Sequence, residues 1–265
     1  MKTLQWLPSP HRAYHIGMQN TCGLVLFPDV TQLDLTGPYD ILCRVPGLKV
    51  VTLGVNRDPV RTEHGLAFTP DCSFSKAPAL DILLVPGGKG VNDALGDPRY
   101  IDFLRRAEAG AAWITSVCTG ALLLGAAGLL RGYRATTHWR SLEFLPAFGA
   151  IPVADQRVVE DRNRITSAGV SAGIDFAFLL ASKIAGEQVA QEIQLMLEYN
   201  PAPPFHSGHP TTAPAEVRQA VEQRIAGPME RRREAVRLAS NALRLFQTSV
   251  AAPAVSPVSV APAAQ

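Results

Sequence analysis

The chain has 265 residues, of which 47% are hydrophobic and 18% charged, and its formal net charge is +2. This is an ordinary globular profile, long enough for one large domain or two small ones. A net charge so close to zero gives no reason to expect a nucleic-acid partner or an acidic membrane surface.

The first twenty residues show no periodicity, and we interpret residues 1–20 as an N-terminal extension. They contain prolines and histidines where a signal peptide needs an unbroken apolar core, and no apolar run in the chain approaches the roughly 18 residues of a membrane span. The four cysteines are too few and too scattered for a disulfide framework, and no histidine falls at zinc-ligand spacing. We therefore expect a cytoplasmic protein with reduced thiols, no metal site and no membrane segment.

Short apolar runs alternate with helical patterns through residues 21–247. The predicted strands are 23–27 (GLVLF), 49–53 (KVVTL), 81–85 (DILLV), 113–117 (WITSV) and 164–167 (RITS), with a shorter piece at 135–137. The predicted helices are 38–44, 98–110, 119–130, 172–185 and 187–198. Continuous apolar strands separated by helices predict one α/β domain with a doubly wound, mostly parallel sheet that helices cover on both faces.

The last part of the chain predicts helices followed by a tail. Residues 213–246 favour two further helices, broken at Gly227 and Pro228. The run of three arginines at 231–233 lies within this helical pattern with glutamates nearby, which is typical of a solvated helix face. Residues 248–265 are uncharged and rich in alanine, proline, serine and valine, so a disordered tail is predicted.

Three of the predicted strands are followed by residues that could carry chemistry. Asp34 follows the first strand, Gly87 and Gly88 follow the third, and Cys118 and Thr119 follow the fourth. In an open α/β sheet the ligand site lies beyond the carboxyl ends of the strands. If these strands are parallel neighbours, an acid, a pair of backbone amides and a thiol meet at one edge of the sheet.

Cys118 stands where a predicted strand passes into a predicted helix. The positive end of that helix and its free N–H groups would lower the pKa of the thiol below its ordinary value of about 8.5 and make it nucleophilic at neutral pH. A buried structural cysteine is the alternative. The amides of Thr119 and Gly88 could bind negative charge that develops on a substrate. A plain tight turn is the alternative for Gly87 and Gly88.

Asp34 lies between two leucines, in an apolar context. Burial against apolar side chains and a thiolate would raise the pKa of this carboxyl and allow it to carry a proton between intermediates. A helix cap is the alternative role, but Thr36, two residues before Pro38, is predicted to fill it.

His138 follows Cys118 by twenty residues, past the predicted helix and near the next strand. It could orient or protonate a group at the site, as a substrate-binding residue, or it could be a structural histidine. Asp175 is expected to cap or brace the helix that contains it, with pairing to His138 as a further option.

Several strings resemble the ThiJ/PfpI superfamily and, within it, the isonitrile hydratases: Q-L-D-L-T-G-P, S-V-C-T-G, A-T-T-H-W and L-E-Y-N-P-A-P-P-F. The resemblance covers about residues 23–239. It implies a flavodoxin-like, class I glutamine-amidotransferase-like fold, a homodimer, and a lyase that hydrates an isonitrile to an N-substituted formamide without a cofactor. Carried over by position, Cys118 would be the nucleophile that forms a covalent thioimidate, Asp34 the general acid and base, and Thr119 a residue that tunes the thiolate.

The resemblance also defines the alternatives. A ligand- or redox-sensing domain related to AraC-type transcriptional regulators shares the A-T-T-H-W string, although we expect the fifty or so residues after Phe205 to be too few for the usual pair of helix-turn-helix units. Glyoxalase or deglycase activity in this superfamily generally goes with glutamate at the position of Asp34. The proteases place a histidine directly after the cysteine, where this chain has Thr119.

Overall fold

The described part of the chain, residues 20–251 of a computed structural model, consists of short strands and helices in alternation. The strands are β1 Asn20–Val25, β2 Leu48–Gly54, β3 Val60–Arg61, β4 Ala67–Phe68, β5 Cys72–Ser73, β6 Ile82–Val85, β7 Trp113–Val117, β8 Arg134–Ala135, β9 Ile151–Pro152, β10 Val158–Asp161 and β11 Arg164–Ser167. The α-helices are α1 Gln32–Leu42, α2 Val91–Ala94, α3 Pro98–Glu108, α4 Gly120–Ala126, α5 Ala172–Ala185, α6 Glu187–Met196 and α7 Ala215–Ala251. Two 3₁₀ segments span Phe74–Lys76 and Trp139–Phe148.

The central sheet has seven strands in the order β10-β11-β7-β6-β1-β2-β5. Every neighbouring pair is parallel except β10 with β11. The predicted doubly wound, mostly parallel sheet is confirmed. Because β6 pairs with β7 on one side and β1 on the other, the three strands that precede the candidate chemistry are adjacent, as the sequence analysis required.

The apolar character of the strands explains why helices cover the sheet on both faces. All four residues of β6 are buried, as are the last four of β1 and of β7, and a strand buried on both sides needs cover on both sides. The helices form two groups that pack separately, α1 with α5 and α6, and α7 with α2, α4 and the 3₁₀ segment Trp139–Phe148.

Helix α1 begins earlier than predicted. It starts at Gln32 rather than at Pro38, with Thr31 in the N-cap position, and Pro38 lies inside it. Thr36 is therefore not a cap; its hydroxyl donates to the carbonyl of Gln32. The sequence predicted a start at Pro38 because proline is common in the first turn of a helix. Proline also occurs inside a helix that tolerates the loss of one backbone N–H donor, and Pro38 is such a case.

Helix α7 corrects the C-terminal prediction. Residues 215–251 form one helix, so the predicted break at Gly227 and Pro228 is wrong. Met229, Val236 and Leu243 are buried along its inner face, and this packing outweighs the local cost of a glycine and a proline. The helix ends four residues inside the predicted tail. The rest of that tail and the first 19 residues of the predicted N-terminal extension lie outside the described residues.

Two further observations concern the helices. Helix α4 ends at Ala126 rather than at the predicted residue 130. Gly128, two residues later, has a positive φ of 85°, which stops the helix. Among the helices of residues 20–251, none combines the length and the apolar character that crossing a membrane requires.

Candidate active site

The turn Pro86-Gly87-Gly88 after β6 joins the residues that follow β1 and β7. The amide of Gly87 donates to Oδ2 of Asp34 at 2.9 Å, and the amide of Gly88 donates to Oγ1 of Thr119 at 3.0 Å. Asp34 is fully buried, in the first turn of α1. The structure therefore brings together the five residues that the sequence placed after these strands, including Cys118, which directly precedes Thr119.

Cys118 occupies a sharp elbow between β7 and α4. Its φ is +54°, a left-handed conformation that is uncommon for residues other than glycine. Backbone contacts hold it there: its amide donates to the carbonyls of Ser167 and Ala168 at 3.1 and 3.0 Å, and its carbonyl accepts from Oγ1 of Thr137 at 2.7 Å. This elbow places Cys118 at the carboxyl end of β7, where it is buried.

Two glycines make this close assembly possible. A Cβ on Gly88, whose φ is +143°, would lie 2.4 Å from the carbonyl oxygen of Asp29. A Cβ on Gly120, the first residue of α4, would lie 2.1 Å from the carbonyl oxygen of Val85. Any larger residue at either position would push the elbow away from the end of β6.

Burial, not the helix start, dominates the acidity of Cys118. The residue is 5% exposed, and burial raises the pKa of its thiol, with the charge of the Asp34 carboxylate adding to the rise. The amides of Val170 and Thr119 and the charge of Arg232 act in the opposite direction. The lowered thiol pKa expected from the sequence is therefore wrong for the resting protein, because the loss of solvation outweighs the favourable amides.

Burial also raises the pKa of the Asp34 carboxyl, to about 7. The amide of Gly87 and the side chain of Cys118 oppose this rise, while the charge of Glu63 adds to it. The second carboxyl oxygen, Oδ1, is buried and has no hydrogen-bond partner among the described residues. A buried carboxyl with one unpaired oxygen and a pKa near neutrality is suited to taking up and releasing a proton.

The glycine amides do not point at an empty anion site. Each already donates inside the protein, Gly87 to Asp34 and Gly88 to Thr119. Their effect in this structure is to orient the carboxyl and the threonine hydroxyl, which differs from the oxyanion role that the sequence suggested. The Thr119 amide is directed at the sulfur of Cys118.

His138 lies at the edge of a cavity of about 1000 Å³ that is also lined by Trp139, Val170 and Phe205. Cys118 and Asp34 do not line this cavity, but two of its lining residues, Val170 and Thr137, contact Cys118. Nδ1 of His138 accepts from the amide of Arg140 at 3.4 Å, which caps the 3₁₀ segment. A structural role and a position beside the cavity are therefore combined in this residue.

Asp175 does not pair with His138. Its carboxylate contacts Arg157 and the hydroxyl of Tyr199. It braces α5 as expected.

We predict that His138 makes the protein less stable in acid. Burial, helped by the charges of Arg232 and Arg140, lowers the pKa of His138 to about 4. An unfolded histidine takes up a proton near pH 6.5, so the stability present above that pH is lost as the pH falls toward 4. His138→Asn, which retains a capping oxygen, should flatten this loss by about 1–3 kcal/mol in chemical denaturation at pH 4.5 relative to pH 7.

The exposed His206 supplies the matched control for this prediction. His206→Asn should follow the wild-type pH profile, since an exposed side chain has much the same surroundings in the folded and the unfolded chain. Identical profiles for His138→Asn and the wild type would contradict the prediction.

Two charged residues near the site were not predicted from the sequence. Arg232 of α7 is 9% exposed, and its guanidinium donates to the Gly88 carbonyl at 3.3 Å, so the arginine run is not simply a solvated face. Glu63, between β3 and β4, accepts from Oγ1 of Thr31 at 3.0 Å, just ahead of α1. Arg232 falls at the helical spacing of Met229 and Val236, and that periodicity was the signal available in the sequence.

The described residues contain no group of three or more histidine, cysteine, aspartate or glutamate side chains placed to hold a metal ion. The four cysteines are free thiols. Of these, Cys118 is the one that lies beside Asp34 and Thr119.

Comparison with protein-family models matches residues 22–183 to the DJ-1/PfpI family. The isonitrile hydratase of Pseudomonas putida is 49% identical over 223 residues, which are 84% of this chain and 97% of that protein. The crystal structure of a ThiJ/PfpI family protein from Pseudomonas syringae is 39% identical, superposes with a TM-score of 0.80, and is matched over 86% of this chain and 98% of its own.

A regulator shares part of the same similarity. The HTH-type transcriptional regulator GbdR of Pseudomonas aeruginosa is 32% identical over 149 residues, which are 56% of this chain and 40% of the regulator. These matches agree with the resemblance drawn from the motifs around Asp34 and Cys118.

Proposed function

The chain belongs to the DJ-1/PfpI family, and from that premise we propose that it is an isonitrile hydratase, a lyase that adds water to R–N≡C to give the formamide R–NH–CHO. The observation that carries the proposal is the 49% identity to an isonitrile hydratase over nearly the whole of that protein. The arrangement of Cys118 and Asp34 supports it, because the reaction needs one nucleophile and one group that moves protons.

In the proposed first step the sulfur of Cys118 attacks the terminal carbon of the isonitrile. The S–H bond breaks, a C–S bond forms, and the proton passes through the Asp34 carboxyl to the same carbon. The product is a covalent thioimidate, R–N=CH–S–Cys118. Because the thiol pKa is raised, the reaction needs a partner that accepts the thiol proton. Asp34, with a pKa near 7, lies beside the thiol.

In the proposed second step the Asp34 carboxylate takes a proton from water, and the oxygen adds to the thioimidate carbon. The nitrogen receives a proton, giving R–NH–CH(OH)–S–Cys118. The C–S bond then breaks, the hydroxyl proton returns to the sulfur, and R–NH–CHO leaves. Atoms balance as one isonitrile plus one water to one formamide, with Cys118 and Asp34 regenerated.

The remaining residues of the site are proposed to position these two groups. Thr119 directs its amide at the sulfur and is held by Gly88, while Gly87 orients the carboxyl of Asp34. The cavity beside His138 is proposed to hold the R group. Trp139 and Phe205 line it, which suits an apolar or aromatic substituent.

The direct test is to incubate the purified protein with cyclohexyl isocyanide and with a para-substituted phenyl isocyanide, and to follow formamide by liquid chromatography. We expect turnover well above the rate with heat-inactivated protein. A rate no higher than that of the inactivated protein for both substrates would refute the proposal.

The similarity to the regulator GbdR supports a second candidate function, a domain that senses a ligand or an oxidant through Cys118 without turnover. The residues described after Phe205 include one long helix, α7, and not a pair of helix-turn-helix units. A titration of fluorescent duplex DNA at physiological salt separates the two: nanomolar, sequence-specific binding would favour the regulator.

We include a homodimer and a cytoplasmic location in the proposal. The dimer follows from the resemblance of the chain, and the location from the four free thiols, which suit a reducing compartment. Sedimentation equilibrium should give twice the chain mass of 28.4 kDa. A mass that stays at one chain across the micromolar range would contradict the dimer.

A further inference from the structure

Arg232 is the side chain through which α7 reaches the candidate site. It is 9% exposed, and each of its three nitrogens donates a hydrogen bond. Nε donates to Oδ1 of Asn92 at 2.9 Å, Nη1 to Oγ of Ser141 at 3.2 Å, and Nη2 to the carbonyl of Gly88 at 3.3 Å. The guanidinium thus connects α7 with α2, the 3₁₀ segment Trp139–Phe148 and the turn after β6.

The three groups that accept hydrogen bonds from this buried cation are all neutral. Within the described part of the chain no carboxylate oxygen lies within 4.0 Å of its guanidinium. Burying an arginine is costly unless a negative charge compensates it. Burial lowers the pKa of Arg232, whereas the charges of Cys118 and, less strongly, Glu63 raise it.

We propose that Arg232 is a positioning residue of this site, which fixes the Gly88 turn and balances the negative charge that the Cys118–Asp34 pair carries when it has lost one proton. The inference rests on the hydrogen bond of Arg232 to the Gly88 turn and on the burial of its guanidinium. Its consequence for turnover rests on the proposed function as well.

The positioning part follows from the hydrogen bonds of Gly88. The carbonyl of Gly88 accepts from Arg232, while its amide donates to Thr119. The amide of Thr119 is in turn directed at the sulfur of Cys118. Movement of the Gly88 peptide would therefore shift the threonine whose amide supports the sulfur.

The charge part follows from the groups that face the pair. Glu63, between β3 and β4, is negative and opposes ionisation of Asp34. His138 is neutral above about pH 4 and contributes no charge at neutral pH. Arg140 lies on the 3₁₀ segment and acts on His138. Arg232 is the cation whose charge acts on Cys118 itself, and it favours the ionised state.

The test is the pH dependence of Cys118 alkylation, a reaction that needs no isonitrile. The full-length protein is treated with iodoacetamide from pH 5.5 to 10, and the Cys118 peptide is quantified by mass spectrometry, apart from the peptides of the other cysteines. For Arg232→Met we expect the midpoint to rise by about one pH unit, with about tenfold slower alkylation at pH 7. Arg232→Lys, which keeps the charge, should stay within about threefold of the wild type.

Arg231→Met is the matched control, because Arg231 is exposed one position away on the same helix. It should reproduce the wild-type profile. If Arg232→Met does not fold, Arg232→Gln takes its place, since it removes the charge and retains a polar donor. The same midpoint shift is then expected relative to Arg232→Lys.

Two results would overturn the inference. One is a neutral variant whose alkylation profile coincides with that of the wild type. The other is an equal slowing in the neutral and the lysine variants with an unchanged midpoint, which would make Arg232 a packing residue. A shifted midpoint in a protein that forms no formamide would support the role of Arg232 and refute the proposed hydratase, so the two proposals fail separately.

Discussion

Cys118→Ala is expected to abolish formamide formation, lowering kcat/KM by at least about 10⁴-fold. The reason is that the proposed reaction passes through a bond to this sulfur, and no other described thiol lies beside Asp34 and Thr119. Cys118→Ser should be nearly as inactive, because a hydroxyl is far less ionised and less nucleophilic than a thiol. Formamide is measured by liquid chromatography, and circular dichroism verifies the fold of each variant.

The control for this experiment is Cys43→Ala, at the exposed end of α1. It should retain wild-type turnover, which separates loss of a nucleophile from loss of any thiol. In addition, acid-quenched wild-type protein should carry one covalent substrate on the Cys118 peptide, and Cys118→Ala should carry none. Turnover by Cys118→Ala within tenfold of the wild type would contradict the mechanism.

The placement of these groups was predictable because it depends on topology. A parallel sheet brings its carboxyl ends to one edge, so the order β7-β6-β1 was enough to bring Cys118, the Gly87 turn and Asp34 together. Asp34 was identified for a partly incorrect reason. The cap was assigned to Thr36 and the helix start to Pro38, whereas the helix starts six residues earlier, at Gln32, and holds Asp34 in its first turn.

The electrostatics of the site could not be predicted from sequence. The helix after Cys118 suggested a lowered thiol pKa, but the magnitude of burial depends on α5, α7 and the 3₁₀ segment, whose packing a local pattern does not reveal. The same holds for Arg232, which comes from a helix more than a hundred residues away along the chain. The pKa values of the buried Arg232, Cys118 and Asp34 depend on the burial and the charges that tertiary packing brings together.

The Asp34→Asn variant should be less active and more stable than the wild type. Asparagine keeps an oxygen that accepts from the Gly87 amide but cannot move a proton, so kcat/KM should fall by about 10²–10³-fold. The wild-type pH profile should fall below pH 7, because the carboxylate is the form that accepts the thiol proton and its pKa is about 7. In Asp34→Asn the remaining activity should lose this dependence.

The stability effect has a defined sign. The folded protein holds the Asp34 proton up to about pH 7, whereas an unfolded chain releases it near pH 4, so this group stabilises the fold in acid and the contribution is lost as the pH rises through 7. Asp34→Asn removes the buried charge, and its free energy of unfolding at pH 8 should exceed that of the wild type by about 1–3 kcal/mol, with the difference vanishing near pH 4.

Urea denaturation at pH 4, 6 and 8 measures this difference, with Asp40→Asn, exposed on the same helix, as the control that should show no such trend. An active site that needs a carboxyl with a pKa near 7 must bury it, and the burial that permits proton transfer is the same burial that destabilises the fold at neutral pH. A variant that is both less active and less stable at pH 8 would show that the Asp34 carboxylate is compensated in the folded state, and the proposed proton-transfer role would lose its physical basis.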